Sequence, residues 1–255
     1  MRRGILRRPA ESTASTPGTE DSRFPGYDVL GEVERWDATT AGVVLSRLAP
    51  PPPIRFFSPD EEAVGRALFD QLLDQRDEPR VPILEMVDAR LAEAMTDGWH
   101  HAELPEDGAA FRQSFAALDD DAKTAYGERF ALLEWYDRAD LVQSVHDADG
   151  DWHGLSAGYV WDLWTRYACT AFYSHPWAWN EIGFGGPAYP RGYKNLGINA
   201  LEPWEVNDHA DEDPIGRGAE IEQARRRHAE VRSHELRSRD PNGPKGVSDR
   251  LATPR

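Results

Sequence analysis

The 255-residue chain has one cysteine, Cys169, and no apolar run long enough to cross a bilayer. A lone cysteine excludes an internal disulfide and cannot build a thiolate zinc site by itself; it fits a reducing compartment. The first apolar run, Ala41 to Ala49, is short and broken by Arg47. A membrane helix needs roughly 20 apolar residues, so membrane insertion is not expected. Excess positive charge is lacking too. The net charge is −16, yet residues 1–57 carry eight Arg against seven Asp/Glu, and residues 205–255 carry ten Lys/Arg against eleven Asp/Glu. The acidity therefore sits in residues 58–204. An acidic domain without a basic stripe repels phosphate backbones, which excludes nucleic acid as a partner. Two arginine pairs, Arg2-Arg3 and Arg7-Arg8, look like the start of an export signal, but Pro9 to Ser22 has none of the apolar character that a signal requires. The expectation is a cytoplasmic protein, periplasmic or extracellular only by co-export with a partner.

What the chain does have is aromatic weight: nine tryptophans within a composition that is 40% apolar and 29% charged, with 19 prolines. This points to a folded centre with polar ends. Residues 1–55 read as an extension, disordered at first and then an arm (Tyr27 to Leu48) laid across the domain or a partner. Pro50 to Pro53 form a stiff connector. Residues 56–204 form the helical domain, and 205–255 a charged, mobile tail.

The domain reads as all-α, a compact bundle of about five helices with an irregular Gly/Pro/aromatic flap and extended termini. Ser58-Pro59-Asp60-Glu61 combines an N-cap, a proline at the first helical position and a capping box, followed by Val64, Leu68, Phe69 and Leu72 at helical spacing. A second helix starts near Pro82, and Phe111, Phe115 and Leu118 mark a shorter third. Asp119-Asp120-Asp121 suits the positive start of a fourth, running through Phe130 to Trp135. The fifth, Ser156 to Tyr173, is apolar around most of its circumference and is expected to be the buried central helix. No strand is expected between 58 and 175. Residues 176–204 hold five glycines and four prolines, which exclude long regular structure, yet their aromatics call for order through packing.

Chemical motifs are weak when read in context. Gly183-Phe184-Gly185-Gly186-Pro187-Ala188 fits a dinucleotide fingerprint in letters, but that fingerprint needs a strand before it and a helix after it; here a helix precedes and prolines follow. His146 to His153 (HDADGDWH) alternates carboxylates between imidazoles, yet its glycine and its twelfth position do not suit a calcium loop. An acidic turn is the plainer reading, and a metal-dependent enzyme built on it is an alternative. Cys169 is expected to be an inert core thiol, and Ser174-His175 lacks elbow glycines. No catalytic, cofactor-binding or metal residue is assigned. The better candidate is the aromatic stretch: Trp161, Trp164, Trp177 and Trp179 within 19 residues, beside His175, Asn180 and Glu181, continued by Phe184, Tyr189 and Tyr193. Such rings serve cores and interfaces alike, and the sequence leaves open which ring does which.

Phe57 to Glu61, Val87-Asp88-x-Arg90-Leu91, and above all Phe172-Tyr173-Ser174-His175-Pro176 leading into Asn180-Glu181-Ile182-Gly183-Phe184-x-Gly186-Pro187 resemble the gluconate 2-dehydrogenase subunit 3 family. The resemblance implies a small non-catalytic subunit bound to a large flavoprotein of the glucose-methanol-choline type. That partner holds FAD and oxidises a sugar or polyol, and a cytochrome c subunit is a further candidate member. Family members assist folding, stability or export of the large subunit. Many carry a twin-arginine signal, whose apolar part is missing here. A generic helical scaffold for an unrelated protein is the other alternative.

Overall fold

A computed structural model describes residues 24, 26–95, 97–195, 197, 200–206 and 226, all but the last within one unit of the chain, residues 1–209. The disordered start and the charged tail expected from the sequence lie almost wholly outside the described residues. Among the described residues there are seven α-helices, two 3-10 helices and one two-stranded hairpin. The class is all-α as expected, but five helices was too few and a strand pair exists.

Helix α2 (Pro59–Leu72) starts as its sequence dictates. The Ser58 side chain accepts from the Glu61 N–H, and the Glu61 carboxylate accepts from the Ser58 N–H at 2.8 Å. Val64, Leu68 and Phe69 then face the core, and the helix packs on α3 (Ile83–Ala92). Asp88 of α3 is buried, and its carboxylate accepts three backbone N–H bonds, from Arg55 at 2.7 Å and from Phe56 and Phe57 at 2.9 Å. This carboxylate fixes the chain's entry into α2.

One long helix, α4 (Asp107–Tyr126), replaces the two expected on either side of Asp119. The acidic triplet does not open a helix. Asp119 lies mid-helix because its carboxylate makes tertiary contacts, accepting from the Phe130 N–H at 3.0 Å and pairing with Lys123 and Arg129. The bond to Phe130 folds the chain back through a 3-10 turn (Phe130–Leu132) into α5 (Trp135–His146), a helix the sequence did not announce. The acidic turn after α5 contains a hairpin, β1 (Asp151–Trp152) paired antiparallel with β2 (Leu155–Ser156). His153 and Gly154 between the strands both have positive φ, 51° and 81°, as a two-residue type I′ turn needs.

Helix α6 (Ala157–Phe172) is the centre, packing against α2, α3, α4 and α5. Trp164 is fully enclosed, with its indole N–H donated to Ser114 Oγ at 3.0 Å; Tyr167 donates its hydroxyl to Asp107 at 2.6 Å. Large side chains buried with their polar tips satisfied each contribute roughly 1.5–3 kcal/mol. In the last turn of α6, Ala171 and Phe172 stay buried in the core while Cys169 lies on the outward side, so the thiol is exposed, contrary to the expected buried one.

Candidate partner interface

After α6 the chain turns at His175 into α7 (Pro176–Ile182). Pro176 suits the first helical position, and His175 caps the helix by accepting the Trp177 N–H on Nδ1 at 3.2 Å. His175 is 2% exposed, and burial pushes its pKa down to about 4, with the nearby Arg47 charge acting in the same direction. The flap thus begins as a short helix rather than as irregular chain.

The flap is covered by the chain's own N-terminal arm. The arm consists of a 3-10 helix (Val29–Arg35) and α1 (Ala38–Ser46), capped by Asp28 and Asp37. Val29, Trp36 and Val44 pack with Trp179 in a small cluster separate from the main core. Asn180 is buried at the joint: its Oδ1 accepts the Val29 N–H at 2.8 Å and its amide donates to Asp28 at 3.3 Å. Tyr27 donates its hydroxyl to the Phe184 carbonyl at 3.1 Å, and burial pushes that phenol up to about 12. Arg191 spans the assembly, donating to Glu32 of the arm at 2.8 Å and to the Gly185 carbonyl at 2.5 Å, with its guanidinium over the Trp204 ring.

These contacts explain the glycines. A Cβ on Gly183 would lie 2.7 Å from the Phe24 ring, and one on Gly186 would lie 2.5 Å from Trp36; both residues also have positive φ. The space beside the glycine stretch is filled by this chain's own rings, Phe24, Trp36 and Trp204. A dinucleotide such as FAD has no cradle here, because a helix precedes the glycines and aromatic carbons occupy the room a pyrophosphate needs.

The ten residues singled out in the sequence divide by burial. Trp164 is core; His175, Trp179 and Asn180 are buried beneath the arm or within the turn; Trp161, Trp177 and Glu181 are half-buried. Trp161 meets the His146 ring edge-on. Phe184, Tyr189 and Tyr193 are 39%, 68% and 55% exposed. Tyr173, Ile182 and Leu201 are exposed as well, and sequence reasoning did not single them out. Tyr173 could have been found: it belongs to neither apolar series of α6, 159/163/167 or 160/164/168/172.

Other candidate chemistry is dispersed. His146 bonds Asp147, and His153 bonds Asp121 at 2.7 Å, beside the Trp152 indole N–H on the same carboxylate. Among the described residues, no group of three or more His, Cys, Asp or Glu is placed to hold a metal ion. Partial burial raises the Cys169 thiol pKa, which lowers its thiolate fraction. A cleft of about 430 Å³ lies between the proline connector and α2/α3, with Arg47, His175 and Trp177 on its wall. Its other cations are compensated, Arg66 by Glu62 and Glu85 and Arg80 by Asp70 and Glu78. No helix among the described residues is long and apolar enough to cross a membrane.

Residues 59–186 match the family model described as gluconate 2-dehydrogenase subunit 3. The chain belongs to that family. No curated protein and no solved structure matches it. The stretch matched to the subunit 3 family starts at the first residue of α2 and ends at Gly186, so it takes in α2 to α7 and the glycines. Phe24, the arm and Trp204, whose rings close over those glycines, lie outside it. A subunit 3 chain is by description a component of a dehydrogenase complex, which makes surface available to other subunits the relevant feature.

Proposed function

We propose that this chain is the non-catalytic small subunit that binds and stabilises a large FAD-dependent sugar or polyol dehydrogenase of the glucose-methanol-choline type. Membership of the subunit 3 family supports the complex. The observation that carries the docking site is the set of exposed apolar side chains along the flap, Ile182, Phe184, Tyr189 and Tyr193, with Tyr173 at the end of α6. Tyrosine and phenylalanine at a surface suit a desolvated interface, where a ring supplies area and a hydroxyl keeps its hydrogen bond. The action is linkage: a subunit that binds only the native flavoprotein adds stability by mass action. FAD belongs to the partner on this reading, a cytochrome c subunit is a further candidate member, and the cytoplasm is the proposed compartment.

Co-expression tests it. The large subunit made alone is expected to be insoluble or poor in FAD, and to recover when this chain is present. Replacing Phe184, Tyr189 and Tyr193 together with Asp is expected to weaken the complex by about 30-fold or more, given that central aromatic anchors contribute about 2 kcal/mol. A large subunit that is soluble, flavin-loaded and fully active without this chain overturns the proposal.

A further inference from the structure

Residues 26–48 join α2 through the proline connector and lie along one face of the flap, with Phe24 just before them packed at Gly183. Their long-range hydrogen bonds end on Ser174, Asn180, Phe184 and Arg191, residues past the end of α6. Their buried apolar residues share a four-member cluster with Trp179, whereas the main core joins 29 buried residues. A segment held by so much less apolar contact opens at lower free energy than the core unfolds. The connector supports this separation. Pro50 to Pro53 have no N–H to donate, and the next anchored backbone groups are those of Arg55 to Phe57 on Asp88. The closed position also carries an uncompensated cost, because Trp36 Nε1 is buried with no hydrogen-bond partner among the described residues. The matched family stretch begins beyond the connector.

We infer that residues 26–48 form a strap that opens as a unit, pivoting at the ends of the stiff Pro50–Pro53 connector, while α2 to α6 stay folded, uncovering Trp179, Asn180 and Gly186. The closed strap hides an apolar face in the monomer; the open strap offers it.

Hydrogen–deuterium exchange on the full chain tests it. Amides of 26–48 are expected to be protected relative to an unstructured peptide, yet to exchange on the order of 100-fold faster than the centres of α4 and α6, as a sub-global opening does. Trp36→Ala is expected to speed exchange in 26–48 and α7 together and to leave α4 and α6 unchanged. Three results overturn it: a strap as protected as α6, a strap with no protection at all, or a variant that speeds every helix equally.

Discussion

Asp88 should be the most costly polar residue to remove from this fold. Aspartate is a poor helix former, and inside α3 it would be replaced by alanine at a local gain of about half a kcal/mol if propensity alone decided. Its position makes sense only through the three backbone N–H groups it receives from Arg55, Phe56 and Phe57. A hydrogen bond to a charged acceptor contributes about 1.5–3 kcal/mol, and a buried donor left unpaired costs a comparable amount. The three share one carboxylate and do not add fully, so Asp88→Ala is expected to lose about 3–5 kcal/mol net. That is a large share of a typical total of about 5–15 kcal/mol. Asp88→Asn keeps one oxygen for Phe56 and Phe57 but turns an amide toward the Arg55 N–H, for a loss of about 1–3 kcal/mol. Urea unfolding followed by helical circular dichroism measures both. An alanine variant within about 1 kcal/mol of the parent, or an asparagine variant no better than alanine, refutes the reasoning, since the entry to α2 would then be held by apolar packing alone.

Gly186→Ala forces a Cβ to within 2.5 Å of Trp36 at a positive φ; the arm is expected to loosen, with a local loss of about 1–3 kcal/mol seen as solvent-shifted tryptophan emission, while the urea midpoint of the helical core holds. His175 has a folded pKa of about 4, below its ordinary 6.5, because burial favours the neutral ring. The unfolded chain therefore takes up this proton first, so the contribution is whole above pH 6.5 and falls by about 2–3 kcal/mol as pH drops toward 4. His175→Asn is expected to flatten unfolding free energy against pH across that window, and equal slopes for variant and parent would refute the assignment.

Local signals were legible where they were complete within a few residues. Ser58 to Glu61 carries its own capping partners, so the start of α2 could be placed to the residue. Asp119 could not be understood that way, because its partner Phe130 lies eleven positions on and is set by tertiary folding, so a mid-helix carboxylate looked like a helix start. Helix α5 was hidden by its short apolar face, Leu141, Val142 and Val145, among charged neighbours. The hairpin hung on His153 adopting positive φ, which histidine does less readily than glycine. Cys169 was misplaced because the apolar circumference of α6 suggested enclosure on every side; its last turn in fact buries Ala171 and Phe172 and leaves Cys169 and Thr170 on the solvent side.

The aromatic flap was legible as a unit but not in the direction its rings face, and the glycines show why. Each glycine removes a side chain from a surface beside α7 and so makes a shallow site for a ring. From sequence, that ring can belong to a partner or to a distant part of the same chain, and hydropathy does not distinguish them. Here Phe24, Trp36 and Trp204 take the sites in cis. The aromatics left outside, Phe184, Tyr189 and Tyr193, stay exposed. The two sets should therefore separate under mutation. Changes to Trp36 or the glycines act on how the arm is held, a property of the isolated chain. Changes to Tyr189 and Tyr193, the two most exposed, remove little buried area from the monomer and should leave its urea midpoint in place, whereas Phe184 also packs edge-on against Trp179 and so touches the arm's cluster. A loss of complex with an unmoved midpoint assigns those rings to recognition; a midpoint that falls in step with binding returns them to the fold.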